Sequence, residues 1–365
     1  MGGTLKIGIV GVGKISEQYF ASFPSLPGLE VIAVADLDQA RAAAVAEEQG
    51  IESTTVDELL ADPRIDAVLN LTIPAAHVEV ATKALAAGKH VYTEKPLALA
   101  PEEAVDMLAL SERTGLRVGS APDTVLGTGI QTAREVLDSG RIGTPVGATA
   151  FWVAPGHELW HPAPQFYYQA GGGPLFDMGP YYVSALVTLL GPVARVSGAV
   201  ARSDRERVVA TGPNAGTPIT VSVDTHVTAI LEHASGVASS LTVSFDVWAS
   251  RIPNIEVYGT AGTIAVPDPN RFSDPVELWT KDEPEWQTVP VSAGYADAGR
   301  GVGLADLARA IETNRPHRAS GELAFHVLEI MDAIIRAGNE HRTIELDSTV
   351  QRPEPVPFGS QPHTW

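Results

Sequence analysis

Cysteine is absent from this 365-residue chain. Disulfides, thiolate nucleophiles, Cys-ligated zinc and Cys-ligated iron–sulfur clusters are thereby excluded, and the absence fits a cytoplasmic protein. Long apolar runs are missing too. No stretch of eighteen consecutive hydrophobic residues occurs, so no membrane span is expected. Basic residues are outnumbered, 25 Lys and Arg against 44 Asp and Glu, a formal net charge of −19. Such a field repels phosphate backbones and argues against a nucleic-acid partner. An anionic cofactor must therefore be held by a local device. The opening MGGTLKIGIVGVG lacks a basic n-region followed by an apolar h-region, so no export signal is read there. What is present is a hydrophobic fraction of 44%, with enough chain for about two domains.

Residues 1–122 alternate strand-like runs with helical stretches. The runs at 5–10, 29–35, 65–71, 89–93 and 116–120 read as strands, and several are apolar at nearly every position, as expected of parallel strands covered on both faces. Between them lie helical stretches at 38–49, 75–87 and 101–114, ending at Gly50, Gly88 and Gly115; the third starts with Pro101. This pattern predicts a doubly wound parallel sheet of Rossmann type. From about residue 123 the texture changes. Helices are expected near 126–139 and 178–190. Long strand-like stretches follow at 193–203, 218–233, 236–247, 253–266 and 275–291, then helices at 302–313 and 320–338. The fold class is therefore α/β: an N-terminal Rossmann domain over 1–122, a C-terminal α+β domain over 123–350 with a large, mostly antiparallel open sheet, and an extended Pro-rich tail over 351–365.

In IVGVGKIS a strand runs into a helix. Gly11 and Gly13 match the first two glycines of a dinucleotide fingerprint: one for the tight turn, the next for close backbone approach to a pyrophosphate. Ser16 stands at the third position and is small enough for close helix–strand packing. Asp36 ends the second strand twenty positions beyond Ser16, the spacing of a carboxylate that bonds the adenosine ribose hydroxyls. Asp38 adds a second negative charge and also suits a helix N-cap. Two carboxylates repel a 2′-phosphate, which favours NAD over NADP, although Arg41 lies within reach of a phosphate. Lys14, Ile15, Leu37 and Thr72 complete the expected cofactor contacts in this half.

With these residues in view, the sequence resembles the Gfo/Idh/MocA oxidoreductase family. The resemblance rests on GIVGVGKIS with VADLD, on TIPAAHVEVATKALAAGKHVYTEKPLA, and on GGGPLFDMGPYY, in that order, and extends through VYGTAGTI to essentially the whole chain. It implies a Rossmann domain, a C-terminal domain with a large open sheet, homodimers or homotetramers, and hydride transfer between nicotinamide and a small sugar, cyclitol or polyol. It places Lys95, of Glu94-Lys95-Pro96, beside the nicotinamide ribose and the substrate, with Glu94 on the cofactor side. An ordinary lysine, with a pKa of about 10.4, is a poor base near neutrality. A neighbouring cationic nicotinamide lowers that value, and Lys95 then serves in proton transfer. Lys83 and Lys89 read instead as surface lysines. Pro96 restricts the backbone of Lys95.

Asp177 and Tyr181, four apart at a helix start, project from one face. The family pattern there is usually Asp-x-x-x-His, so Tyr181 is a departure. Lys95, Asp177 and Tyr181 form the expected catalytic set, with Asp177 also suited to capping the helix and Tyr182 to packing. His77 is assigned to the nicotinamide end. The loop APGHELWHPAPQFYYQ is rich in sugar-binding residue types, and His157, Trp160 and His161 are the expected substrate contacts. Trp248, Arg251 and Asn254 are weaker candidates for the same role. His157 and His161 show no third ligand, so no metal is expected. The function that follows is NAD-dependent oxidation of a secondary hydroxyl of a sugar, cyclitol or glycoside. Two alternatives are an NAD-dependent glycosidase acting by transient oxidation and elimination, and a non-catalytic NAD-binding sensor.

Overall fold

A computed structural model describes residues 4–361. The chain opens with β1 (Leu5–Val10), α1 (Ser16–Ser22), β2 (Leu29–Ala35), α2 (Gln39–Gln49), β3 (Glu52–Ser53), α3 (Val56–Ala61), β4 (Ala67–Asn70), α4 (His77–Ala86), β5 (His90–Thr93), α5 (Pro101–Thr114) and β6 (Val118–Ser120). The six strands form one parallel sheet in the order β3-β2-β1-β4-β5-β6. The order reverses direction between β1 and β4, the position at which doubly wound sheets receive ligands. The ladder continues past the strand ends. Gly11 N donates to Ala35 O (2.8 Å), Leu71 N to Val10 O (2.8 Å) and Glu94 N to Asn70 O (2.9 Å). The residues that follow β1, β4 and β5 are thus carried onto one edge of the sheet.

Further along lie α6 (Thr128–Asp138), β7 (Pro145–Val153), α7 (Gly173–Leu190), β8 (Val193–Ala201), β9 (Arg207–Val208), β10 (Pro218–Ile219), β11 (His226–His233), β12 (Ala238–Ser244), β13 (Ile255–Gly259), β14 (Gly262–Val266), β15 (Val276–Thr280) and β16 (Gln287–Val289). They are followed by α8 (Val302–Thr313), α9 (Gly321–Glu340) and β17 (Ile344–Glu345). The large sheet has nine strands in the order β16-β15-β14-β13-β7-β12-β11-β8-β17. Every pairing in it is antiparallel except β7 with β12. The expected mostly antiparallel open sheet is present. Its central strand β7 was not anticipated, and three of the long stretches each divide into two strands.

By contacts the described chain falls into two units. One holds residues up to Gln131, Ser292–Leu328 and the residues from Pro353 onward; the other holds Thr132–Val291 and Glu329–Arg352. This differs from the sequence boundaries, because residues 292–328 and the tail pack with the parallel sheet. Ser320 bridges to Gly119, and Tyr295 to Gly127. Arg318, 1% exposed, explains much of the return. Its guanidinium pairs with buried Asp306 and donates to the carbonyls of Glu354 (2.8 Å) and Pro355 (2.9 Å). The described tail is extended, and Val356 is fully buried. Residues 362–365 of the predicted tail lie outside the described residues. No helix among the described residues is long and apolar enough to cross a membrane.

Buried histidines give the fold a pH signature. In the second unit, His233 Nδ1 lies 2.8 Å from Gly191 O and Nε2 lies 2.9 Å from Ser239 Oγ, an arrangement that a neutral ring satisfies in full. Burial holds the pKa of His233 below the ordinary imidazole value, and does the same for His77 in the first unit. The unfolded chain therefore takes up protons first as pH falls through about 6.5. Stability from these groups is full above that pH and is lost as pH falls towards their folded-state values. The melting temperature is expected to drop between about pH 7.5 and pH 5.5. His233→Gln is expected to flatten that drop in thermal melts.

Candidate active site

The glycine loop follows directly from β1. Gly11 has φ +94°, and a Cβ there would lie 2.7 Å from the Leu71 backbone, so the turn from β1 into α1, set against the chain that follows β4, requires glycine. At Gly13 a Cβ would meet nothing within 4 Å, so this position opens onto space. Asp36 is aimed at the loop: its Oδ2 accepts from Val12 N (2.9 Å) and its Oδ1 from Asp38 N (2.9 Å). Leu37 beside it is 97% exposed. Asp38 caps α2, accepting from Arg41 N (3.1 Å), and Arg41 pairs with the same carboxylate at 3.2 Å. Arg41 thus already faces an acid. Lys14 is exposed and pairs with Glu17, while Ile15 is half-buried.

The turn after β5 is built more tightly than its sequence indicates. Glu94 is 6% exposed. Its Oε1 accepts from the buried Tyr19 hydroxyl of α1 (2.8 Å), and its Oε2 from Lys95 N (3.0 Å). Burial, with the charges of Glu94 and Asp123, holds the Tyr19 pKa far above the ordinary phenol value, so the phenol keeps its proton and donates. Glu94 is therefore engaged inside the protein, tying α1 to the backbone of Lys95, rather than turned to the cofactor side. Lys95 is half-buried, and the Lys95–Pro96 bond is cis.

His77 braces the same turn from α4. Its ring spans two carbonyls, Pro96 O at 2.7 Å from Nδ1 and Thr72 O at 3.0 Å from Nε2. Asn70 completes the brace, donating to His77 O (3.0 Å) and accepting from Thr72 Oγ1 (2.6 Å). With both ring nitrogens facing backbone carbonyls, to one of which a neutral ring donates its single N–H, His77 shapes the cofactor edge instead of contacting a ligand through the ring. His77→Ala is expected to raise the NAD dissociation constant by about 3–10-fold, the worth of one net hydrogen bond. Calorimetric titration measures it, with exposed Lys83→Ala as the unaffected control. Lys83 does lie at the surface, paired with Glu79 at 2.7 Å. Lys89 does not: it is 6% exposed and its amine donates to Asp62 O and Ile65 O. Its aliphatic stem runs inward and the two carbonyls satisfy the buried charge.

In the second unit α7 begins at Gly173, five residues before its expected start, with Pro174 in its first turn. That signal was legible: proline suits the first helical position. Asp177 consequently lies a full turn inside the helix and does not cap it. Its Oδ2 is 2.8 Å from His157 Nε2, and Trp160 Nε1 donates to His157 Nδ1 at 3.1 Å. Tyr181 is 5% exposed on the same helix. Tyr182, expected to pack, is buried but also polar in role: its hydroxyl donates to Asp268 (3.2 Å) and accepts from Asn254 Nδ2 (2.7 Å). Asn254 and Asp268, with Trp152, Trp248 and Ser250, line a cleft of about 240 Å³. Arg205 stacks on Trp248 at 4.6 Å. Arg251 is exposed. Trp160 is 58% exposed, and His161 is half-buried, its Nδ1 accepting from Ala163 N (3.0 Å). His157, expected at the substrate, is 6% exposed with both ring nitrogens taken by protein groups.

Comparison with known proteins decides the family. Residues 5–121 match the model described as oxidoreductase family, NAD-binding Rossmann fold, and residues 130–265 match the GFO/IDH/MocA C-terminal domain. An uncharacterized oxidoreductase of Rhizobium meliloti is 32% identical over 271 residues, 73% of this chain and 75% of the relative. The chain belongs to the Gfo/Idh/MocA oxidoreductase family. The D-xylose dehydrogenase of Paenarthrobacter nicotinovorans is 26% identical over 318 residues, 80% of each chain. The structure of levoglucosan dehydrogenase in complex with NADH and L-sorbose shares the fold, with a TM-score of 0.81 at 21% identity over 95% of this chain and 100% of that one.

As a Gfo/Idh/MocA enzyme the chain is an oxidoreductase with an NAD-binding Rossmann domain. The residues present fit that cofactor. Gly13 leaves open the space a side chain would fill, and Asp36 sets a carboxylate against the glycine loop. Gly13, Asp36 and Leu37 are the residues that would hold the adenosine and phosphate end, and the Thr72–His77–Lys95 edge the nicotinamide end.

Proposed function

We propose that the protein is an NAD-dependent dehydrogenase that oxidises a secondary hydroxyl of a sugar, cyclitol or glycoside. The reading rests first on the seat of Lys95. The backbone that carries this half-buried lysine is fixed at the carboxyl edge of the NAD-binding sheet, by Glu94 on its N–H and by His77 on the next carbonyl. The relatives named for xylose and levoglucosan support a carbohydrate substrate. Nicotinamide, when bound, supplies the hydride acceptor. Lys95 takes the proton of the reacting hydroxyl; for the second unit, Tyr181 is the proposed proton-transfer residue and Asp177 orients the substrate by accepting from a hydroxyl. The substrate leaves as a ketone, having lost one hydride and one proton.

Asp36 and Asp38 set the preference for NAD over NADP. Asp36→Ala is expected to raise KM for NAD about tenfold, the loss of a charge-assisted hydrogen bond to a ribose hydroxyl. An NAD(P)H-linked screen against sugars, cyclitols and glycosides tests the whole reading, with mass spectrometry of the purified protein for retained cofactor. Turnover of a polyol with stoichiometric NADH supports it. Glycoside cleavage without added oxidant, by protein that retains NAD, replaces it with the transient-oxidation glycosidase. NAD binding with no turnover on any member of the panel leaves the sensor.

A further inference from the structure

We infer that His157 is the positioning residue for Asp177 and that Trp160 sets its tautomer. The inference rests on the proposed role of Asp177 at the substrate. An indole N–H only donates, so the Trp160 contact at 3.1 Å makes His157 Nδ1 an acceptor. The ring proton then sits on Nε2 and points at Asp177 Oδ2, 2.8 Å away. A carboxylate on a helix turns about two side-chain bonds. A fixed donor at one oxygen selects one rotamer and one carboxylate plane.

The donor itself is held. The His157 ring is enclosed by Tyr167 at 4.4 Å, Phe245 at 4.6 Å and Trp152 at 6.0 Å between centroids. Its backbone N–H donates to Tyr168 Oη at 3.1 Å. The next residue, Glu158, is 1% exposed and is anchored by Arg207 (2.9 Å) and by the Tyr168 hydroxyl. The loop that supplies the imidazole is therefore pinned from both sides, one residue from the contact it makes. His157 is too enclosed to reach substrate and acts through Asp177. Trp160, more than half exposed, carries this chain to the surface.

The test uses the full chain with NAD and the best substrate of the screen, in four variants: Asp177→Asn, His157→Leu, His157→Gln and Trp160→Phe. His157→Leu is expected to lower kcat by about 10²-fold, the cost of a misplaced site group, with the dissociation constant for NAD unchanged. His157→Gln, which keeps an N–H donor at the position of Nε2, is expected to recover most of that loss. Long-range ¹⁵N–¹H spectra of the wild-type protein should show the Nε2–H tautomer at His157, and Trp160→Phe should convert it to a mixture. An Nδ1–H tautomer in the wild type overturns the inference whether or not a substrate is known. So does a His157→Leu enzyme within about twofold of wild type while Asp177→Asn is inactive. If His157→Leu does not fold, the Gln variant and the spectra decide, and loss of kcat in Gln equal to that in Asp177→Asn counts against. Full activity in Asp177→Asn instead removes the role of Asp177 on which the inference stands.

Discussion

Lys95→Ala is expected to lower kcat on a good substrate by about 10²–10⁴-fold, the usual worth of a positioned proton-transfer group, while NAD binding stays close to wild type. The separation follows from what holds the turn. The backbone N–H of Lys95 donates to Glu94, and the next carbonyl, Pro96 O, faces His77. Neither contact uses the Lys95 side chain, so its truncation leaves the cofactor edge formed. Lys95→Arg keeps the charge but replaces a compact, titratable amine with a larger guanidinium that stays protonated. It is expected to recover little of the rate. Steady-state kinetics with single-turnover NADH formation measures both. Turnover by Lys95→Ala near wild type would remove Lys95 from the chemistry.

Arg207→Ala is expected to destabilise the second unit by about 3–5 kcal/mol, the cost of breaking a buried ion pair from one side. The Arg207 side chain is 1% exposed and lies between Glu158 and Asp246. It also donates to Phe245 O (3.1 Å) and Tyr168 Oη (3.2 Å). Without it Glu158 keeps Tyr168 and the half-buried Arg205, and Asp246 keeps hydrogen bonds from Ser203 and Thr225 at 2.6 Å each. Those partners supply one positive charge for two acids, in a place with little access for water. The change is expected as a lower urea midpoint with an unaltered slope. Arg64→Ala makes the contrast. Arg64 pairs with Glu52 and Asp62 at the surface, where solvent screens the charges, and the midpoint should barely move. Because Glu158 adjoins His157, Arg207→Ala should also lower kcat, and by more than an equally destabilising change elsewhere in the unit.

The sequence was most legible where the chemistry is local. Gly11, Gly13 and Asp36 lie at short, fixed intervals along a strand, turn and strand, and each demand falls on a single position. Gly11 admits no side chain against Leu71, and Asp36 must directly follow β2 to reach the loop. The parallel sheet was equally plain, because strands covered on both faces must be apolar throughout. Legibility failed where a residue's role depends on a distant partner. Glu94 read as a cofactor-facing acid until Tyr19, seventy-five positions earlier, was found on its carboxylate. His77 and His157 read as ligand contacts because a free imidazole is one; the His77 ring faces two backbone carbonyls, and Trp160 with Asp177 takes both ring nitrogens of His157. The start of α7 is legible in Pro174, whose fixed φ suits a first helical turn, although the apolar run that signals the helix begins only at Met178.

From the sequence by itself came the Rossmann half, the glycine loop with its carboxylate, the Glu-Lys-Pro turn and the family resemblance, all written in runs of a few neighbouring residues. Only the tertiary structure decided which polar groups remain available to a ligand and which are spent holding the protein together. That division depends on desolvation: a buried donor or acceptor must find a partner wherever the fold brings one, and the spacing of residues along the chain carries no record of that.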